Sequence, residues 1–254
     1  MKSITIFLLS LFPFFTHAAE PSTLMPLMAI PDKVALRDDF SKDGPVDRTN
    51  WLSRQGTRWR IADGVLRGIP SSSEYQAKRS HHKGFEPRAS VPKTPSEFIA
   101  TFSFRFLGGK ENGVVPFIEF GHHVCRVKFS TKEGAFILAD SETLRVANGS
   151  GFKYQSGKWF HVLAELKGEE FVIQFADGPT LYAHHECFAK PNPSGGNGLG
   201  VAGPHGGTVE FDNVTIWNVR ERYQKAWPEK RTSFPDFTPL PTGKVKKTPT
   251  PSKS

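Results

Sequence analysis

Two cysteines in 254 residues exclude a disulfide-dense scaffold, and no CxxC or HExxH spacing points to a zinc centre. After residue 19 no stretch is long and apolar enough to cross a bilayer as a helix. No unit recurs at a fixed period, which excludes propellers and β-helices. Tyrosine (4) and methionine (3) are scarce while phenylalanine is frequent (22), a bias that suits the interior of a packed sheet. The formal charge of +8 suggests a nucleic-acid partner until its distribution is read. Residues 220–254 hold nine Lys/Arg against three acids, whereas residues 20–219 hold 23 against 22. The body is close to neutral, so no nucleic-acid surface is expected there, and the basicity belongs to a tail.

The first 19 residues have the form of an export signal. Lys2 precedes a short apolar core from Ile4 to Phe15, and Thr16 to Ala19 end it with small residues. The protein is therefore expected to be secreted or periplasmic. Residues 20–33 are proline-rich and aperiodic and read as a linker. A body at 34–219 follows, and then a Pro/Lys-rich tail at 220–254, expected to be mostly disordered. In that tail a helical turn over RERYQKAW is expected to stop at Pro228. An anionic envelope surface is the partner the tail suits.

Within the body, Asp63-Gly64 between alternating apolar residues marks a hairpin. EFIATFSFRF (97–106) places Phe98, Ala100, Phe102, Phe104 and Phe106 on one side of a strand. Further short strands recur to residue 219, with turn signals between them and no convincing internal helix. The expected fold is all-β, a two-sheet antiparallel jelly-roll sandwich. Residues 70–96 carry four prolines and many charges and read as a long loop.

Chemistry concentrates in FIEFGHHVCRVKF (117–129). Phe120-Gly121 reads equally as a turn or a bulge. If the second arm is a strand from His122, then His123, Cys125, Val127 and Phe129 share a packed face, and His122, Val124, Arg126 and Lys128 share a polar one. Glu119 and His122 are candidates for acid–base work, with Arg126 orienting a carboxylate or a sugar hydroxyl. His123 and Lys128, with Tyr75, Arg79 and His81 from the long loop, are candidates for contacting a substrate. The bland alternative is a solvated sheet face with a salt bridge. Trp51, Trp59, Tyr75 and Trp159 are candidate platforms for a sugar ring. Six histidines stand in adjacent pairs, and on a strand each pair offers one ligand to a given site, so no metal centre is expected. Cys125 and Cys187 either pair, closing a loop worth about 4 kcal/mol on the chain-entropy model, or remain two buried thiols.

Four stretches in order, TRWRIADGVLRG, EFIATFSFRFLGG, GKWFHVLAELKGEEFVIQFADG and GGTVEFDNVTIWNV, resemble the exported bacterial domain called 3-keto-disaccharide hydrolase-like, one of the concanavalin A-like lectin/glucanase sandwiches. The chain is also similar to secreted proteins of planctomycete-type bacteria. The resemblance spans about residues 34–219. It implies a carbohydrate ligand on a concave sheet, with glycosidic-bond cleavage as the enzymatic alternative and a non-catalytic envelope protein as another. No cofactor is expected, with calcium, common in lectin-like sandwiches, left open. The ExDxxE triad of laminarinase-type relatives is absent from the sequence, so the resemblance carries no catalytic residues across.

Overall fold

The structure, a computed structural model, describes residues 24–92, 94–111, 113–149, 151–190 and 198–244. The proposed export signal lies outside the described residues. In chain order the elements are β1 (Ala29–Asp38), β2 (Gly44–Pro45), β3 (Leu52–Ser53), β4 (Arg58–Ala62), β5 (Val65–Ile69), α1 (Ser73–Ala77), β6 (Arg88–Ser90), β7 (Phe98–Leu107), β8 (Phe117–Phe120), β9 (Cys125–Ser130), β10 (Gly134–Ala139), β11 (Leu144–Gly149), β12 (Phe160–Lys167), β13 (Glu170–Phe175), β14 (Thr180–His184), β15 (Leu199–Ala202), β16 (Thr208–Tyr223), α2 (Trp227–Arg231) and β17 (Leu240–Pro241).

Two antiparallel sheets result. The nine-stranded sheet runs β14-β13-β12-β7-β16-β5-β4-β2, with β1 also on β16; the eight-stranded sheet runs β17-β11-β10-β9-β8-β15-β6-β3. The expected β-sandwich is the observed fold. Its core is made by strand alternation. Phe98, Phe102, Phe104 and Phe106 of β7 point inward and meet Phe120 and Phe129 of the other sheet, with the Phe104 and Phe129 rings 5.0 Å apart. Each buried Phe contributes about 1.5–3 kcal/mol, so this aromatic seam dominates the contact between the sheets.

The expected boundaries need three corrections. The linker's second half belongs to β1, which pairs with β16 over Ala29–Asp38. The long loop is interrupted by α1, whose N-cap Ser72 accepts from Tyr75 N, and by β6, a strand of the eight-stranded sheet. The tail keeps contact with the body as far as residue 244, although most of it beyond Trp227 is exposed. β16 continues to Tyr223, buried Trp227 donates to Glu170 Oε2 at 3.1 Å, and β17 pairs with β11. Pro228 opens α2 rather than stopping a helix, because the first helical turn has no intrahelical acceptor for its N–H. Among the described residues no helix is long and apolar enough to cross a membrane.

Candidate functional site

The hairpin of β8 and β9 builds the site. Residues 121–124 form a turn, with Gly121 at φ 80° and His123 at φ 63°, and Val124 N donates to Gly121 O at 2.9 Å. From Cys125 the strand alternation holds: Cys125, Val127 and Phe129 enter the core, while Arg126 and Lys128 take the outer face with Phe117 and Glu119 of β8. Register places Glu119 opposite Arg126 and Phe117 opposite Lys128.

The turn overturns one expectation. His123 does not join the packed face. Its left-handed backbone breaks the alternation, and its exposed side chain lies beside Arg126, Nδ1 to guanidinium nitrogen 3.4 Å. The two imidazoles stand 4.1 Å apart, centroid to centroid.

Glu119 is the hub. Its Oε2 accepts from Arg126 Nε at 2.6 Å and from the Arg126 terminal nitrogen at 2.5 Å, and its Oε1 lies 2.8 Å from His122 Nδ1. Arg126 also reaches Glu142 Oε1 at 3.1 Å, and Glu142 holds Lys128 at 2.5 Å and Lys244. The Phe117 ring lies beneath the cations, 4.4 Å from both Arg126 Cζ and Lys128 Nζ and 5.6 Å from Arg88 Cζ. Glu119, Arg126 and Lys128 are all buried although they sit on an outer sheet face. The side chains cover one another.

These contacts set the protonation states. Burial pushes Glu119 up, but the His122 hydrogen bond and the Arg126 charge outweigh it and hold the carboxyl at about 2. Burial likewise opposes the ionisation of Glu142, and Arg126 and Lys128 overcome it, leaving that carboxyl well below its usual range. Burial brings Lys128 down to about 8. Desolvation, then the Arg126 charge, lowers His123 to about 4, so its ring is neutral at pH 7. Cys125 is pushed up by burial. No disulfide joins Cys125 to Cys187; both are buried, and the Cys187 thiol donates to Val124 O at 3.6 Å.

A cavity of about 60 Å³ opens beside Glu119, lined by Arg54, Gln55, Arg88, Ser90, Phe117, His122 and Arg126 among others. A cleft of about 300 Å³ adjoins it across His122 and Gly121. Of the expected site residues, Glu119, His122, His123, Arg126 and Lys128 come together. Tyr75, Arg79 and His81 do not line the cavity. The Tyr75 ring lies against Gly56, Arg79 stacks 5.1 Å over Tyr75, and His81 contacts Ser80 and His82. The stretch reaches the cavity through Arg88 and Ser90 of β6 instead, and His82 approaches it only indirectly, its Nδ1 2.9 Å from Gln55 Nε2. Trp51 is a core residue bonded to Asp38, Trp59 donates to Thr57 and Arg88, and Trp159 stacks with Arg105 of the nine-stranded sheet. None of the three lines the cavity. Glu142, Arg88 and Ser90 are site residues that periodicity did not reveal. Among the described residues no group of three or more His, Cys, Asp or Glu is placed to hold a metal ion.

No family model matches the chain, and no curated protein matches it. Solved structures do. A protein with a galectin-like fold from Bacillus subtilis is 10% identical, covering 76% of this chain and all of that one, with a TM-score of 0.54. The carbohydrate-binding module CBM66 of Bacillus subtilis is 17% identical over 67% of this chain and 96% of its own, at 0.46. A β-glucanase-like protein of Mycobacterium abscessus is 11% identical over 73% of this chain and all of its own, at 0.48. At these identities the likeness establishes the architecture alone, and it is the first of the three that carries it: an antiparallel β-sandwich.

Proposed function

We propose that the chain is an exported carbohydrate-recognising β-sandwich protein whose ligand docks on the outer face of the eight-stranded sheet. One observation carries this reading. Glu119, His122, Arg126 and Lys128 are cross-braced at the mouth of a cavity, presenting donors and acceptors in fixed positions. Recognition of hydroxyl-rich ligands benefits from such preorganisation, since less side-chain freedom is lost on binding. The fold resemblance supports the same ligand class.

Cleavage of a glycosidic bond, as in a 3-keto-disaccharide hydrolase, is the second reading, favoured by the 2.8 Å approach of His122 to Glu119. It needs a protonated acid near the scissile oxygen. Glu119 and Glu142 are both held below the ordinary carboxylate range, which supports binding over hydrolysis.

A panel of neutral and charged oligosaccharides, assayed for binding and for released product, separates the readings. Binding without product, with no product gained or lost in Glu119→Gln, supports recognition. Turnover abolished by Glu119→Gln establishes the enzyme. Binding to no glycan, with envelope association retained by the Lys-rich tail, overturns both and leaves an envelope-tethered structural protein.

A further inference from the structure

We infer that the cavity beside Glu119 is an anion pocket, one that takes the carboxylate or sulfate group of a charged sugar on Arg88 and Ser90. The inference rests on the carbohydrate reading and narrows it to acidic glycans.

Ser90 is 4% exposed, lines the cavity, and its Oγ makes no hydrogen bond. Two residues earlier on the same strand face, Arg88 lines the same cavity with a buried Nε that likewise has no acceptor. Buried donors are almost always satisfied in folded proteins, and these two point to an acceptor. The nearest acidic partner of Arg88, Glu86, is 3.7 Å from its terminal nitrogen, too far for a hydrogen bond.

The charge balance agrees. Arg88 and Arg126 line the cavity beside one lining carboxylate, Glu119, which Arg126 and His122 engage; outside the lining Glu142 takes Arg126 at 3.1 Å, and Glu86 lies 3.7 Å from Arg88. Burial lowers the Arg88 pKa and the Arg126 charge adds to it, while Glu86, Glu119 and Glu142 oppose the shift only in part. An anion between the guanidiniums relieves that repulsion. A planar guanidinium is the donor best matched to a carboxylate or sulfate.

The size agrees as well. A water needs about 10–15 Å³ of such space, so about 60 Å³ admits a head group of a few heavy atoms. A sugar ring must then lie outside, toward the larger cleft. Gly200 keeps the pocket open. It stands between Ser90 and Glu119 in register, and a Cβ there would sit 3.6 Å from Glu119 Oε1 and 3.6 Å from Ser90 Cβ, in the gap itself.

The test is calorimetric titration of the full-length protein with polygalacturonate, its methyl ester, a sulfated galactan and neutral laminarin. The expected result is binding of the polygalacturonate or the sulfated galactan, which identifies the anion as carboxylate or sulfate, with at least tenfold weaker binding of the uncharged polymers. Arg88→Ala and Ser90→Ala should each weaken the charged ligand about tenfold. Gly200→Ala, which adds one methyl in a position of ordinary van der Waals contact, should weaken it while leaving the melting temperature within a few degrees, keeping the test valid if Arg88→Ala fails to fold. Equal binding of ester and acid, or loss in Lys246→Ala/Lys247→Ala without loss in the Arg88, Ser90 and Gly200 variants, overturns the anion pocket while carbohydrate recognition stands. Binding of none of the four overturns both.

Discussion

Two of the glutamates buried on the outer sheet faces, Glu165 on the nine-stranded sheet and Glu119 on the eight-stranded one, are held in opposite ways. Glu165 of β12 is fully buried and accepts from the backbone N–H groups of Leu27, Met28 and Ala29 at 2.7–3.0 Å. Burial raises its pKa, and the three backbone donors only partly offset the shift. Glu119 of β8 is met by side chains, Arg126 and His122, and held at about 2. The difference lies in what surrounds each carboxylate. Backbone donors on Glu165 fasten the N-terminal segment across the nine-stranded sheet, where Ala29 packs on Ile99 and Leu163, and that face is closed. The partners of Glu119 are side chains that leave a cavity between them, and that face is where the proposed ligand would dock.

The largest effect is expected at Arg126. Arg126→Ala strands the buried carboxylate of Glu119 and removes a partner of Glu142, and should lower unfolding free energy by about 3–5 kcal/mol, read by denaturant titration. Glu165→Ala should come next, at roughly 3 kcal/mol, because it leaves buried N–H groups without acceptors. Limited proteolysis should then cut within residues 24–38 before the body unfolds.

Opposite pKa shifts give opposite pH slopes. The Glu119 carboxyl is depressed in the fold, so its contribution is fully present above the usual value of 4.5 and decays as pH falls toward about 2. The Glu165 carboxyl is raised, so its contribution is fully present below its usual value and decays as pH rises through the raised one. Denaturant unfolding of wild type against Glu119→Gln and Glu165→Gln between pH 3 and 7 should show the first difference growing with pH and the second shrinking. The same slope in both variants would refute the contrast. The smallest effect belongs to an exposed pair. Lys190–Glu186, at 3.0 Å with both side chains largely in water, is screened by solvent, so Lys190→Ala should leave the unfolding midpoint nearly unchanged.

How much of this could be read from the sequence depends on whether the signal was local. Phe98 to Phe106 announced β7 because period-two alternation is a property of neighbouring residues. The same rule sorted Arg126 and Lys128 outward and Cys125 and Val127 inward. It misplaced His123, since one left-handed residue in the turn resets the phase. Arg88, Ser90 and Glu142 were invisible for another reason. They join the site through strand register and a one-turn helix after β10, across 16 to 29 positions of sequence to Arg126, Phe117 and Glu119. Trp227 was hidden by composition: a Pro- and Lys-rich surrounding reads as solvated although one aromatic in it is buried. Glu165 had the alternation of an outward residue, and the segment that covers it lies 136–138 positions away.

The sixteen-residue β16 has a consequence for how the chain is made. It pairs with β7 along one edge and with β5 and β1 along the other, switching partners where Asn213 takes a left-handed backbone. The middle of the nine-stranded sheet is therefore supplied by the last fifth of the chain. Until residue 223 is available, β1, β5 and β7 have no common neighbour, and the sheet stays divided into a β4–β5 hairpin and a β7–β12–β13–β14 meander. Closure is therefore a non-local event of the slow kind expected for high contact order.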